Sequence, residues 1–202
     1  GMRGAVGAID KVAITGDVRC HVIGDAPAIG ICGSGLIDVV AGMLDAGILD
    51  ASGLLRVEDR ERLAPALRDR LVLRGEERQF VLLRADETGG PEDLVITQGD
   101  IRQLQLAKAA IATGIAMLKR VMGLRDEDLT ELMLAGGFGN YLNIRSAVRI
   151  GLIPPLDGDR IHYVGNAAAL GAQMCLISEA ERSRAEALAR RIEHVSLAAH
   201  PD

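Results

Sequence analysis

The stretch Leu134-Ala135-Gly136-Gly137-Phe138-Gly139-Asn140 decides how the chain is read. Residues 131–135 are apolar enough for a buried strand, and the glycines that follow end it abruptly. Glycines between a strand and a helix let the backbone take positive φ and approach a ligand closely, and free N–H groups at the helix start favour anionic or polar groups. The stretch therefore predicts a strand-to-glycine turn that receives a nucleotide, with ATP the expected one. An isolated Gly-Gly-x-Gly is equally compatible with a tight structural turn, so the surrounding sequence has to decide.

Two other turns have the same character. Ile29-Gly30-Ile31-Cys32 leads into Gly33-Ser34-Gly35, after which Leu36, Ile37, Val40, Met43 and Leu44 recur at helical spacing up to Gly47. Residues 161–164 form a predicted strand, Gly165-Asn166 a turn, and Ala167–Ile177 an Ala-rich helix. Three strand-to-helix turns can converge at one end of a sheet, where α/β proteins bind ligands. Taken singly, Gly33-Ser34-Gly35 is a plain helix start and Gly165-Asn166 a helix-packing device.

The remaining sequence supplies the frame. Residues 11–14 and Val18–Val22 flank Thr15-Gly16-Asp17 as a hairpin. Residues 50–90 read as a peripheral insertion or hairpin, with strands at 71–73 and 79–83 and a loop at 86–91. The longest helix begins at Thr97, with Asp100 supporting its first turn, and ends at Gly123; Ile101, Leu104, Ile111, Ile115, Leu118 and Met122 mark its expected buried face. Lys108 falls within that face, and an inward ammonium needs a partner or must snorkel. Gln105 borders the same azimuth, so the two offer an amide and an ammonium to a ribose or purine. A short helix over 144–150 and a charged helix after Ser178 complete an α/β pattern of sheet covered by helices.

Composition excludes several classes. The 202 residues are 49% hydrophobic with a formal charge of −5, and the basic residues are scattered, so no nucleic-acid partner is expected. No run approaches the ~20 apolar residues of a membrane span, and a cytoplasmic protein is expected. Cys20, Cys32 and Cys175 lack pairing or ligand spacing and are read as buried thiols; the four histidines, His21, His162, His194 and His200, show no metal-ligand pattern. No metal site is expected. Asp25, Asp38 and Asp100 could act on magnesium or water, although Asp100 is explained by helix capping and Asp38 by its place near a helix start. No catalytic residue is assigned.

Four motifs, in order, resemble a known family: 30–38 (Gly-Ile-Cys-Gly-Ser-Gly-Leu-Ile-Asp), 96–108 with Gln105 and Lys108, 134–143, and 164–172. Together they closely resemble the C-terminal domain of the ATP-dependent reductive activators of corrinoid proteins, along almost the whole chain. The resemblance implies the acetate kinase, sugar kinase, heat-shock cognate and actin superfamily (ASKHA), in which two ribonuclease H-like subdomains with mixed sheets flanked by helices close over ATP. It implies that Gly136, Gly137, Phe138, Gly139 and Asn140 form the adenosine motif. It also implies that Gly165, Asn166 and Ala167 begin a connecting helix, and that Gln105 and Lys108 lie on a helix bordering adenosine. The implied cofactor is ATP with magnesium; a [2Fe–2S] cluster is expected only in the N-terminal ferredoxin-like part of a full-length parent. The implied partner is a corrinoid protein or corrinoid-dependent methyltransferase, whose cob(II)alamin is returned to cob(I)alamin, and a homodimer is expected. Neither the Asp-Gly-Thr phosphate loop nor the second Asp-containing loop is found, and Met2-Arg3-Gly4-Ala5 resembles an internal point, so residues 1–202 are expected to be the C-terminal part of the ATPase domain. Two other readings stay open. One is an activator of a radical dehydratase, or a small-molecule kinase, of the same fold. The other is a non-catalytic nucleotide-sensing or dimerisation module that packs through residues 167–172.

The central turn yields a direct test. Gly137→Val places a branched side chain where backbone must approach the ligand. In the complete, folded protein it should weaken ATP binding by calorimetry at least about tenfold, or ~1.4 kcal/mol; unchanged affinity would remove the turn from the site.

Overall fold

The computed structural model describes residues 1–136 and 141–196. Residues 137–140, the heart of the glycine turn, and 197–202 lie outside the described residues. The chain divides into two compact units, residues 1–112 with 141–154 and residues 113–140 with 155–202.

The first unit is built around β1 (Ala8–Ile14). β2 (Val18–Val22) pairs with it antiparallel through the expected Thr15-Gly16-Asp17 turn, and the short β3 (Gly30–Ile31) pairs with it parallel, in the order β2-β1-β3. β3 matches β1 only at Ala8 and Ile9, and the chain turns directly into α1 (Gly33–Asp45). α1 then supplies hydrogen bonds to β1 backbone that β3 does not reach. Ser34 Oγ donates to the Asp10 carbonyl at 3.0 Å, and the Val12 N–H donates to Asp38 Oδ2 at 3.2 Å.

Such contacts require the helix to lie unusually close. A Cβ on Gly35 would stand 2.5 Å from the Ile9 carbonyl oxygen and 2.9 Å from Ile31 Cγ1; one on Gly42 would stand 3.1 Å from Ile14 Cβ. Gly35, Asp38 and Gly42 follow helical spacing, so they form one stripe along the side of α1 that meets β1. Ile37, Val39, Val40, Ala41 and Met43 bury the other faces of the helix. α4 (Ile144–Arg149) packs against α1, capped by Asn143, whose Oδ1 accepts from Arg145 N at 3.1 Å, and joined by Arg149 Nε to Asp45 Oδ1 at 2.5 Å.

Residues 50–90, expected as an insertion or hairpin, contain α2 (Pro65–Arg68), β4 (Leu71–Arg74) and β5 (Glu77–Leu83). β5 also pairs with β6 (Leu94–Thr97), giving the antiparallel order β4-β5-β6. Leu71, Phe80, Leu82 and Ile96 of these strands are fully buried. Arg70 links this sheet to the first hairpin: its guanidinium donates to the Leu82 carbonyl at 2.9 Å and lies 3.4 Å from Asp17. Arg78 holds Glu58 at 2.5 Å and donates to the Leu55 carbonyl, and its hydrogen bonds draw the Glu58 carboxyl down to about 2.

β6 runs straight into α3 (Gln98–Met122), whose start is as read: Thr97 Oγ1 accepts from Asp100 N at 3.0 Å and Asp100 Oδ2 accepts from Thr97 N at 2.9 Å. Its expected apolar face is covered only at the beginning. Ile101 is 1% exposed, whereas Ile111 and Leu118 are 50% and Met122 68% exposed. The periodicity identified the helix correctly, but an apolar stripe states what can be buried, not what this chain buries.

The second unit holds the parallel pair β7 (Leu132–Ala135) and β8 (Ile161–Gly165), then α5 (Ala167–Ile177) and α6 (Glu179–Ala189). Asn166 caps α5 by accepting from Ala169 N at 3.1 Å, and Ser178 caps α6 by accepting from Glu181 N at 3.3 Å.

Gly35→Ala tests the close approach on which the first unit rests. The added methyl meets a backbone carbonyl, so denaturant unfolding of the complete protein should show a loss of about 1–3 kcal/mol. Gly90→Ala, where a Cβ meets nothing within 4 Å, should stay within about 0.5 kcal/mol of the parent.

Candidate functional site

The residues singled out from the sequence fall in three places. Gly33, Ser34 and Gly35 are not a turn ahead of α1 but its first turn, with Cys32 as N-cap. Ser34 is 2% exposed, donates to Asp10 and lies 3.3 Å from Cys32 Sγ, and Gly35 is pressed on Ile9. Packing gives both residues a complete explanation. Asp38 is 5% exposed and carries a buried Oδ1 without a hydrogen-bond partner among the described residues, while Oδ2 holds Val12.

Gln105 and Lys108 lie on the first half of α3, beside the turn at 50–55. Asp50 organises that turn by accepting from Ser52 N at 2.8 Å, Ser52 Oγ at 2.6 Å and Leu54 N at 3.0 Å, which holds its carboxyl below the usual range. α3 then reads the turn's backbone. Gln98 accepts from Leu55 N at 2.9 Å and donates to the Gly53 carbonyl at 2.7 Å; Arg102 and Gln105 both donate to the Ser52 carbonyl, at 3.0 and 2.8 Å. Gln105 also accepts from Arg102 at 2.7 Å. One amide hydrogen and one carbonyl lone pair of Gln105 are thereby engaged, and the same number are left for a ligand. Gly53, at φ +81°, is pressed on this amide, since a Cβ there would meet Gln105 Nε2 at 2.3 Å. The polar stripe Gln98, Arg102 and Gln105 was not recognised as a unit from the sequence. Its signal was the i, i+4, i+7 spacing of polar residues opposite a turn whose partner could not be known in advance.

Lys108 lines a small pocket with Val40, Leu44, Leu49, Leu104 and Ile150. Its stem lies on apolar surface and its Nζ reaches the end of α4, 3.5 Å from where a Cβ of Gly151 would stand. A cation is favoured at a helix C-terminus, which accounts for the half-buried ammonium by snorkelling. Among the described residues Lys108 has no carboxylate partner, so the same group is available to a polar ligand at the pocket mouth.

The third group lies in the second unit. Gly136 has φ +95° and Gly165 φ +62°, and a Cβ on either would meet nothing within 4 Å among the described residues. Both positions have a left-handed backbone that favours glycine. The Gly136 N–H, however, donates to the Gly165 carbonyl at 2.7 Å and is not free for an anion. Gly137, Phe138, Gly139 and Asn140 lie outside the described residues.

The cysteines are less uniform than expected. Cys32 is buried, but Cys20 and Cys175 are half-buried, and all three are free. Burial, partly offset by Arg70, pushes the Cys20 thiol up to about 11, which keeps it protonated and unreactive near neutrality. Among the described residues no three His, Cys, Asp or Glu side chains converge as a metal site, and no helix is long and apolar enough to cross a membrane.

Mixed strands flanked by helices, with glycine turns at the strand ends, define an ASKHA domain. Residues 1–202 match the family described as the C-terminal domain of RACo, the ASKHA domain, and the chain belongs to that family. It is 38% identical over 202 residues to the corrinoid activation enzyme RamQ of Eubacterium limosum, covering all of this chain and 34% of RamQ. It also resembles the solved structure of a reductive activator for corrinoid, iron-sulfur protein, with a TM-score of 0.87 at 38% identity, over 99% of this chain and 31% of that one. The chain thus spans about a third of the length of these relatives.

Lys108→Met separates the two roles of that residue. It keeps the packed stem and removes the charge, so stability should hold within about 0.5 kcal/mol. ATP affinity of the complete protein should fall about 10- to 150-fold, in the range of one lost charge-assisted hydrogen bond; full retention would leave snorkelling as its whole function.

Proposed function

We propose that this chain is the ATP-binding part of an ATP-dependent reductive activator of corrinoid proteins. The observation that carries the reading is the family match along every residue, joined by two relatives whose names both state corrinoid activation. In this reading Gly136, Gly137, Phe138, Gly139 and Asn140 receive the adenosine, Gly165 and Asn166 support them, and Gln105 and Lys108 supply polar contacts. Gly33, Ser34 and Gly35 act indirectly, by fixing α1 on β1. Magnesium accompanies the triphosphate. The left-handed backbone at Gly136 and Gly165, and the ammonium of Lys108, which has no carboxylate partner among the described residues, support this reading.

The chemistry served is a one-electron transfer. A [2Fe–2S] cluster in the ferredoxin-like part of the complete protein gives up one electron, and cob(II)alamin of a partner corrinoid protein or methyltransferase takes it up as cob(I)alamin. No bond forms to this chain. The step is uphill, so ATP must bind or turn over with different free energy in the partner-bound and free states, which couples the nucleotide to complex formation or release. The protein acts in the cytoplasm as a homodimer.

The test uses the complete protein, a low-potential reductant, ATP and a corrinoid protein in the cob(II) state. Cob(I)alamin absorbance should rise only with ATP, accompanied by phosphate release that needs the corrinoid partner. Transfer of phosphate to a small molecule would replace this reading by a kinase, and ATP binding without turnover by a sensing module.

A further inference from the structure

The Gln105 side chain is held more firmly than a half-buried amide needs to be. Its Nε2 donates to the Ser52 carbonyl at 2.8 Å and its Oε1 accepts from Arg102 Nη1 at 2.7 Å, while the same guanidinium nitrogen donates to the Ser52 carbonyl at 3.0 Å. The three groups close a triangle. Turning the amide over would set its nitrogen against the guanidinium, donor to donor, and its oxygen against the carbonyl, acceptor to acceptor. The partners therefore fix which end of Gln105 is nitrogen.

The turn that Gln105 grips is itself held in place. Two helical turns earlier on α3, Gln98 accepts from Leu55 N at 2.9 Å and donates to the Gly53 carbonyl at 2.7 Å, and Asp50 accepts from Ser52 N and Leu54 N. Gly53 lies so near that a Cβ there would stand 2.3 Å from Gln105 Nε2, so backbone occupies one side of the amide. Gln105 lines the same pocket as Lys108, and its second amide hydrogen and second lone pair are the ones left for a ligand. Because the amide does not turn over, they meet that ligand in one order only.

We infer that Arg102 is a positioning residue for nucleobase selection, acting through Gln105. A locked amide suits the adenine edge, whose 6-amino group donates to Oε1 and whose N1 accepts from Nε2. A 6-oxopurine carries the reverse pattern, an acceptor at position 6 and a donor at N1, and needs the amide turned over. A ribose hydroxyl rotates to donate or to accept and gains nothing from the lock. A base edge, with its donor and acceptor in set places, is what the lock tells apart. This inference rests on the nucleotide reading of Gln105 and adds to it which part of the nucleotide Gln105 meets and what keeps the contact selective.

The test compares ATP with inosine triphosphate, which differs from it only at position 6 and N1, by calorimetry on the complete protein. The parent should prefer ATP about tenfold or more, in the range of two mismatched hydrogen bonds. Arg102 is exposed, so Arg102→Met loosens the amide without opening the core, and the preference should shrink at least about threefold. Gln105→Glu offers acceptors only and leaves Arg102 in place; it should reverse the preference in favour of inosine triphosphate. A parent without preference, a preference unchanged in Arg102→Met, or one kept for ATP in Gln105→Glu overturns the inference, and the nucleotide reading still stands if Gln105→Ala weakens ATP binding. Equal ATP affinity in Gln105→Ala and the parent overturns both.

Discussion

The approach of α1 to β1 is the contact from which the first unit follows. β3 pairs with β1 over only two residues, so β1 would otherwise leave polar backbone groups in a hydrophobic interior. Each such group costs about 1–3 kcal/mol if unpaired. The helix solves this by coming close enough for Ser34 and Asp38 to hydrogen-bond the strand directly; only glycine at 35 permits that distance, and a Cβ at 42 would be tight against Ile14. Once α1 is fixed, its C-terminal end positions Asp45 for α4, and the chain leaving it forms the 50–55 turn that α3 grips. The pocket beside Lys108 is a consequence of that order, because its walls come from α1, the turn, α3 and the end of α4.

The same contact revises what a glycine-rich strand-to-helix turn means. Gly33-Ser34-Gly35 and Gly136-Gly137-Phe138-Gly139 look alike in sequence, since both let backbone come near something. At Gly35 that something is the neighbouring strand; at Gly136 and Gly165 no described residue stands within 4 Å of an added Cβ. Sequence records the permission to approach but not the object approached. The Cβ positions on the fold separate a glycine pressed on its own strand from glycines that carry no such packing demand.

Most elements were legible because their signals are local. The Thr15-Gly16-Asp17 hairpin, the Thr97–Asp100 capping box, and the caps at Asn166 and Ser178 each depend on residues within four positions of one another. What escaped depends on distant partners. The engagement of Gln105 with Ser52 spans 53 residues, and the pairing of β5 with β6 across the 86–91 loop makes a three-stranded sheet of what reads as a hairpin. Lys108 was correctly seen as out of place on an apolar face, but its nearest compensation, the end of α4, lies more than 40 positions away.

The exposed half of α3 and the exposed α5 have one physical meaning. Apolar periodicity in α3 continues past Ile101 through Leu118 and Met122, yet burial stops after the first turns. Selection for a soluble isolated surface would have placed charge there, as it did along α6, where Glu179, Arg182, Arg184 and Glu186 face water and make an ordinary solvated helix. α5 and α6 are adjacent, of equal length and opposite in composition. The contrast within one short segment shows that exposed apolar surface belongs to particular helices, α3 and α5, and is not spread evenly along the chain.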